Sequence, residues 1–454
     1  MDKQPSPIKL DHASREENPV GIAVVGAGAA GLMAAIWAGR TAIDPGRTKD
    51  SSTLKSIDIV LFDTKPKIGA KILMSGGTRC NVTNQDVKPS DFQGGPSHFV
   101  KHVLEAFTPQ ETIRFFKEIG VELTLESTGK YFPVTHSAQT VLEALKREAK
   151  RVGVTFKTGV RITEIQKAAG SFHLKSADGT YHVSARKVVL ATGGLSYPTT
   201  GSDGAGHEVA KRFGHTIVPT VPALTPLLTS DSDWKILSGI SLEVGLSFSA
   251  LGGRNGKKES ECRGSFLFTH FGFSGPAALD ISRHFSGAQK EKHPQIIANF
   301  LPEHREESLN VALQSARKKN PNKCIKNLLA DEFSLPDRFV ETFLKKSKVS
   351  GAEPIAKCSS ENRKRLIRSL CHYPLEVTGV FGYTKAEVTA GGVDLKEINV
   401  ATMESKLVDG LYFAGELMDA DGRIGGFNFQ WAWSTGAQAG RSAGNSCQRG
   451  VAVA

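Results

Sequence analysis

The stretch that decides the fold is Val20-Gly-Ile-Ala-Val-Val-Gly26-Ala-Gly28-Ala-Ala-Gly31-Leu-Met-Ala-Ala. A short apolar β run, Ile22 to Val25, meets three glycines at G-x-G-x-x-G spacing, and a helix pattern of small residues follows at once. This predicts the strand, turn and helix that open a dinucleotide-binding βαβ unit. Gly26 permits the tight turn, Gly28 lets the backbone approach a pyrophosphate, and Gly31 lets the helix press on the strand. At the helix start, Ala29 and Ala30 offer free N–H groups and the positive end of the helix dipole to the phosphates.

Other readings of the same stretch fare worse. Residues 21–39 are 19 uncharged residues, near the roughly 20 that span a bilayer. The glycines at 21, 26, 28, 31 and 39 and the β-like start argue against a membrane helix. Arg15, Glu16 and Glu17 precede the run and no clear cleavage site follows, which argues against a secretory signal. Residues 1–19 read as a polar, disordered tail, too acidic for a typical transit peptide.

Working outward, the second strand, Ile57 to Phe62, ends in Asp63, where a carboxylate accepts hydrogen bonds from the ribose hydroxyls of an adenosine half. A polar insertion at 44–56 explains why Asp63 lies further from the glycines than the usual spacing. The block Lys65 to Asn84 follows. Its Ser75, Gly76 and Thr83 leave backbone amides free to face a ligand, Lys71 and Arg79 bring charge, and Asn81 and Asn84 bring amides for a heterocycle edge. Residues 98–120 and 137–152 read as helices around a turn at Gly129–Pro133. Val154–Phe156, Val160–Ile162, Ser171–Lys175 and Tyr181–Val183 read as a β meander, with Val160 near the cofactor. The buried strand after it, Lys187 to Ala191, ends in Thr192, Gly193 and Gly194, and ligands sit outside such strand ends.

The tail returns to cofactor chemistry. A strand at 410–414 runs into Gly415-Glu416-Leu-Met-Asp419, which places Asp419 for a sugar or ribitol hydroxyl. Gly425, Gly426, Phe427 and Asn428 open a final helix that can aim N–H groups at a ring carbonyl and stabilise charge on a reduced flavin. A helix merely packing through Trp431 and Ala437 would not need the double glycine or Asn428.

The 454 residues suggest two or three domains. We divide them into a first part of the cofactor domain at 20–204, an insert at 205–375 that is β-rich and then helical and basic at 303–346, and a second part at 376–454. The net charge of +11 favours anionic partners, and Lys and Arg cluster at 317–326 and 345–368; a solvated helical surface explains these clusters somewhat better than an RNA-binding face does. The six cysteines form no C-x-x-C pair, which argues against a zinc site and a dithiol relay and points to a reducing, cytoplasmic compartment, the organellar case staying open. No metal-ligand set is expected.

These motifs, in this order, resemble the BaiN/RdsA-like NAD(P)/FAD-dependent oxidoreductases over about Val20 to Gly440. The resemblance rests on Gly26–Gly31, S-G-G-T-R-C-N-V-T-N at 75–84, A-T-G-G at 191–194, F-T-H-F-G-F-S-G-P at 268–276, T-A-G-G-V at 389–393 and the tail from Gly415 to Gln430. It implies an α/β fold, a Rossmann-like FAD-binding domain with an inserted domain, and non-covalent FAD. It also implies reduction of carbon–carbon double bonds, in small molecules or in ribosomal RNA uridine. The family usually has Gly at Thr78, Glu at Asp63 and Tyr at Phe427; the last departure removes a phenol expected near the flavin.

The expected chemistry is hydride transfer from NAD(P)H through FAD to an activated double bond. No second G-x-G-x-x-G follows a strand, so the nicotinamide is expected to visit the flavin directly; Gly201–Gly206 lacks a preceding β run. His270 is the general-acid candidate by residue type, a structural role at the Ser274–Pro276 turn being the alternative. Cys80 reads as a small packed residue rather than a redox thiol. An oxygen-using amine-type oxidase is a further alternative. No membrane partner is expected.

Overall fold

The computed structural model describes residues 19–43, 57–250, 260–288 and 294–451. The tail read at 1–19, apart from Pro19, and the insertion read at 44–56 lie outside the described residues.

Strand β1 (Val20–Val25) lies inside a seven-stranded sheet, paired in parallel with β2 (Ile59–Asp63) on one side and with the strand His182–Leu190 on the other. Ile22, Ala23 and Val24 are wholly buried. A strand apolar on both faces is what a parallel sheet covered by helices requires. Helix α1 (Ala29–Ile43) follows the glycine turn, charged only at Arg40. The sheet differs from the expected meander in two respects. Val154–Thr158 pairs in parallel with β2 at the far edge instead of joining the meander, and Tyr181–Val183 and Lys187–Leu190 merge into the single strand His182–Leu190. The antiparallel ribbon with Ser171–Ser176 carries the polar half of that long strand, and the core carries its apolar end.

The C-terminal helix (Phe427–Val451) lies against α1. A Cβ at Gly436 would stand 2.5 Å from the Ala30 carbonyl oxygen, and one at Gly440 2.2 Å from that of Ala34, so only glycine permits this approach. Ala30 faces Gly436 and Ala34 faces Gly440, so the two helices run parallel and their N-termini point the same way. Phe427 precedes Gly436 by nine residues, whereas Ala29 precedes Ala30 by one. The C-terminal helix therefore starts roughly 12 Å further along the shared direction, at 1.5 Å per residue.

A second core spans Leu227 to Leu375. It is built on a seven-stranded antiparallel sheet, including Ser241–Ser249, Ser260–Phe268 and Gln295–Asn299, and on the helices Glu306–Lys319, Ile325–Phe333, Asp337–Ser347 and Ser360–Cys371. Trp234 stacks on Phe268 at 5.5 Å within it. Helix Ala205–Arg212, read from the sequence as the start of the insert, seats Val209 and Ala210 in the first core instead. Between the cores, Ile217–Ala223 pairs antiparallel with Val388–Val393. We propose that this ladder is the stem of the inserted domain. Among the described residues, no helix is long and apolar enough to cross a membrane.

Candidate active site

A cavity of about 500 Å³ opens where β1 and β2 end and the two parallel helices begin. Its first wall is the glycine turn. Gly26, Gly28, Ala29 and Ala30 line it, and a Cβ at Gly28 would meet nothing within 4 Å, so the helix start opens on free space. Gly31 lies behind them: a Cβ there would fall 1.7 Å from the Gly26 carbonyl oxygen. Asp63, at the end of β2, lines the same end. Its carboxylate accepts the amides of Ala27 and Lys65, each at 2.8 Å. Burial pushes its pKa up against those two bonds and the Lys65 charge. Val160, Thr192 and Gly193 complete this end, while Gly194 packs behind on Thr389 and Glu416.

Lys71, on helix α2 (Ala70–Thr78), lines the middle of the cavity. Its Nζ lies 2.5 Å from Glu416 Oε2 and 2.6 Å from Ser196 Oγ. Glu416 Oε1 accepts Ser196 Oγ at 2.7 Å and the Thr389 amide at 3.0 Å. Burial opposes the Glu416 charge, but Lys71, Ser196 and Thr389 together hold the carboxyl below its ordinary range. The pair thus ties α2, the stem strand and the tail together and is largely neutral toward a ligand.

The next wall is the turn at the end of α2. Gly76, Gly77, Thr78 and Cys80 all have positive φ, at 55°, 66°, 69° and 62°. Ser75, Gly76, Arg79 and Asn81 line the cavity. Arg79 pairs with Glu126 at 2.6 Å and stands over the Phe132 ring at 4.0 Å. The buried Asn81 Oδ1 has no hydrogen-bond partner, so a polar acceptor in the cavity wall awaits a donor. The Cys80 thiol is wholly buried and burial pushes it up to about 12, which leaves it a neutral packing group. Thr83 and Asn84, on the short strand β3 (Thr83–Asn84), do not line the cavity. They brace it: Thr83 Oγ1 donates to Gln430 at 2.6 Å, and Asn84 Nδ2 donates to the Gly425 carbonyl at 2.9 Å.

The tail forms the far end. Gly415, Glu416, Gly425, Gly426 and Asn428 line the cavity. Asn428 spends its amide on both backbone groups of Gly422, at 2.8 Å each, and so shapes the turn. Phe427 is fully buried, with its ring edge-on to Phe92 at 6.3 Å and under Arg423 at 4.1 Å, outside the lining. Asp419 also stands outside the lining; burial raises its pKa against the pull of Arg283. His270 lies in an exposed turn of the second sheet, its ring 5.0 Å from that of Phe271, and is not part of the cavity.

Lys130 and Glu387 line the cavity and were not singled out from the sequence. Lys130 sits on the strand Lys130–Pro133, paired with Asn84 of β3. Glu387 precedes the stem strand Val388–Val393, and the only sequence signal for it is a charge placed directly before a wholly buried run.

A family model described as HI0933-like protein Rossmann domain matches residues 20–442. A 3-dehydro-bile acid delta(4,6)-reductase of Clostridium scindens is 34% identical over 93% of this chain and 98% of its own. A ribosomal RNA dihydrouridine synthase of Escherichia coli is 34% identical over 91% of this chain and 95% of its own. A solved 3-ketosteroid-delta4-(5alpha)-dehydrogenase from Rhodococcus jostii aligns over 95% of this chain and 99% of its own, with a TM-score of 0.47 and 16% identity. The strand, turn and helix at Val20–Ile43 lie at the head of the matched span, and the chain belongs to the HI0933-like family.

Proposed function

We propose that this protein is an FAD-dependent oxidoreductase that passes hydride from NAD(P)H to an activated carbon–carbon double bond. One observation carries the reading: two parallel helix N-termini, offset by roughly 12 Å along their axes, open on one cavity that has Asp63 at one end and Gly425–Gly426 at the other. A long dinucleotide needs that arrangement. The amides of Gly28, Ala29 and Ala30 would take the pyrophosphate, and Asp63 the ribose. The amides of the Gly425–Asn428 turn, with Asn81 as an acceptor, would take the polar edge of the ring. The unpartnered Asn81 Oδ1 fits this assignment, because it needs a donor that the protein does not supply. FAD, when bound, accepts and releases hydride.

The chain's own residues prepare the site. Phe132, Phe429 and Trp431 line the cavity beside the ring end and exclude water. The Lys71–Glu416 pair fixes the wall without adding net charge. Glycine and small residues at the entrance, Gly201 to Ala205, give an open approach for a nicotinamide that has no Rossmann unit of its own. The free thiols of all six cysteines fit a reducing compartment, which favours the cytoplasm.

A second reading, a reductase acting on uridine in ribosomal RNA, is favoured by the equal identity of the dihydrouridine synthase and by the exposed Lys318, Lys319, Lys364 and Arg368 on the insert helices. Anaerobic mixing of the FAD-loaded protein with NADH and with NADPH tests the first part of the proposal. Bleaching of the flavin by at least one of them is expected, and none by either would refute it. Loss of dihydrouridine from ribosomal RNA in a deletion strain, restored by this chain, would establish the RNA substrate.

A further inference from the structure

The ring end of the cavity holds two charged side chains that the cofactor does not need. Lys130 and Phe132 alternate along one strand and both face the cavity. Lys130 is held by the ladder to Asn84, whose amide in turn holds the Gly425 carbonyl. A Cβ built on Gly425 would lie 3.6 Å from Lys130 Cε, so the ammonium stands beside the start of the C-terminal helix. Among the described residues, Lys130 closes no ion pair within 4.0 Å. Two carboxylates lie within electrostatic reach of it, Glu387 and Asp280. Asp280, on the insert helix Pro276–Gly287, is occupied by the Ile424 amide at 2.7 Å. Glu387 has its backbone pinned, by the Leu224 carbonyl at 3.1 Å and by Ser196 Oγ at 3.3 Å, and the residue, itself exposed, lines the cavity.

We propose that Lys130 and Glu387 are the residues that activate the double bond reduced at this site, Lys130 by holding the oxygen of a conjugated carbonyl group and Glu387 by supplying the proton. This rests on the reductase reading above. Hydride from the reduced cofactor adds to the carbon β to the carbonyl. The π pair of the double bond moves toward the carbonyl, and the developing enolate oxygen accepts a hydrogen bond from Lys130 Nζ. The Glu387 carboxyl gives its proton to the α carbon, the carbonyl re-forms, and Glu387 regains a proton from water. Two electrons and two hydrogens are added to the substrate, and the cofactor is oxidised. Desolvation in the cavity wall and Asp280 push the Glu387 carboxyl up, against Lys130 and Lys71, while the side chain stays exposed. An isolated double bond offers Lys130 no oxygen and is not reduced.

The test uses the FAD-loaded full chain. p-Nitrophenol, titrated by the absorbance of its anion, mimics the enolate oxygen. Wild type is expected to bind the anion, K130M to bind it about 10- to 100-fold more weakly, and K130R to retain it. Protein reduced with dithionite is then mixed with 2-methylcyclohex-2-en-1-one, whose α carbon becomes a stereocentre. E387Q is expected to reoxidise about a hundredfold more slowly or worse and to give product of both hands, because water replaces the positioned acid. FAD content and melting temperature are measured for each variant. Unchanged anion binding in K130M, or one unchanged product hand at wild-type rate in E387Q, overturns the proposal. Wild-type protein that binds the anion through Lys130 but leaves the enone unreduced overturns the reductase reading on which the proposal rests.

Discussion

Two alanine substitutions only three residues apart should part company: Gly28→Ala should cost cofactor and Gly31→Ala should cost fold. At Gly28 an added Cβ meets nothing within 4 Å, and the backbone is not in the left-handed region. The unliganded protein should therefore keep its stability or gain up to about 1 kcal/mol, because alanine has less freedom to lose on folding. The methyl group, however, stands before the helix start where the proposed cofactor's pyrophosphate would be held. Losing one charge-assisted hydrogen bond there costs about 1.5–3 kcal/mol, or about 10- to 150-fold in FAD affinity. At Gly31 the Cβ would fall 1.7 Å from the Gly26 carbonyl oxygen and 2.9 Å from its carbon. Backbone on both sides cannot yield as a side-chain tip can, so the turn must distort at a cost of about 3 kcal/mol or more. Melting of the unliganded proteins by circular dichroism, and FAD titration by fluorescence quenching, separate the two effects. FAD binding by Gly28→Ala at wild-type affinity, or an unchanged melting temperature in Gly31→Ala, would refute the assignment.

Three further outcomes are expected. Glu416→Gln should destabilise the protein by about 3 kcal/mol near neutral pH, because Lys71 is left largely buried without its counter-charge. Its folded-state pKa is depressed, so wild-type stability from this carboxylate is present above the unfolded value of about 4.3 and lost as pH falls through the lower folded value; the variant should show a flatter acid limb in a pH series of melting temperatures. Thr78→Gly should stabilise by up to about 1 kcal/mol, since a β-branched residue at φ 69° is strained and glycine is not; chemical denaturation checks the sign. Cys80, buried with its thiol pushed up to about 12, should resist Ellman's reagent at pH about 8 until the protein unfolds, which peptide mapping after timed labelling would show.

Local signals in the chain reached far into this site. The β run, the three glycines and Asp63 stand where spacing alone put them, because a βαβ unit is built from neighbours in sequence. The two ends of the cavity were legible for the same reason: each is a strand end followed by a glycine turn. What stayed hidden depends on pairing between distant segments. Glu416 and Asp419 are three residues apart, and a short 3-10 turn at Gly415–Leu417 decides which one faces the cavity. Lys130 acquires its place only through the ladder to Asn84, and Glu387 only through the pairing of Ile217–Ala223 with Val388–Val393. His270 was the natural acid by residue type, yet the second sheet holds it in an exposed turn away from the cavity. The helix Ala138–Arg151 was itself legible at 137–152, but its crossing back to set Val154–Thr158 parallel beside β2 at the sheet edge is a pairing that the strand pattern does not announce.

The central claim is that electrons leave this protein into a carbon–carbon double bond, and one anaerobic single-turnover measurement tests it. FAD-loaded protein, reduced by the more effective of NADH and NADPH, is mixed with a ring enone while the flavin absorbance and the product mass are followed. Flavin reoxidation in step with an enone heavier by two hydrogens is the predicted result. A flavin that stays reduced beside unchanged enone, and is reoxidised only when oxygen is admitted, would contradict it.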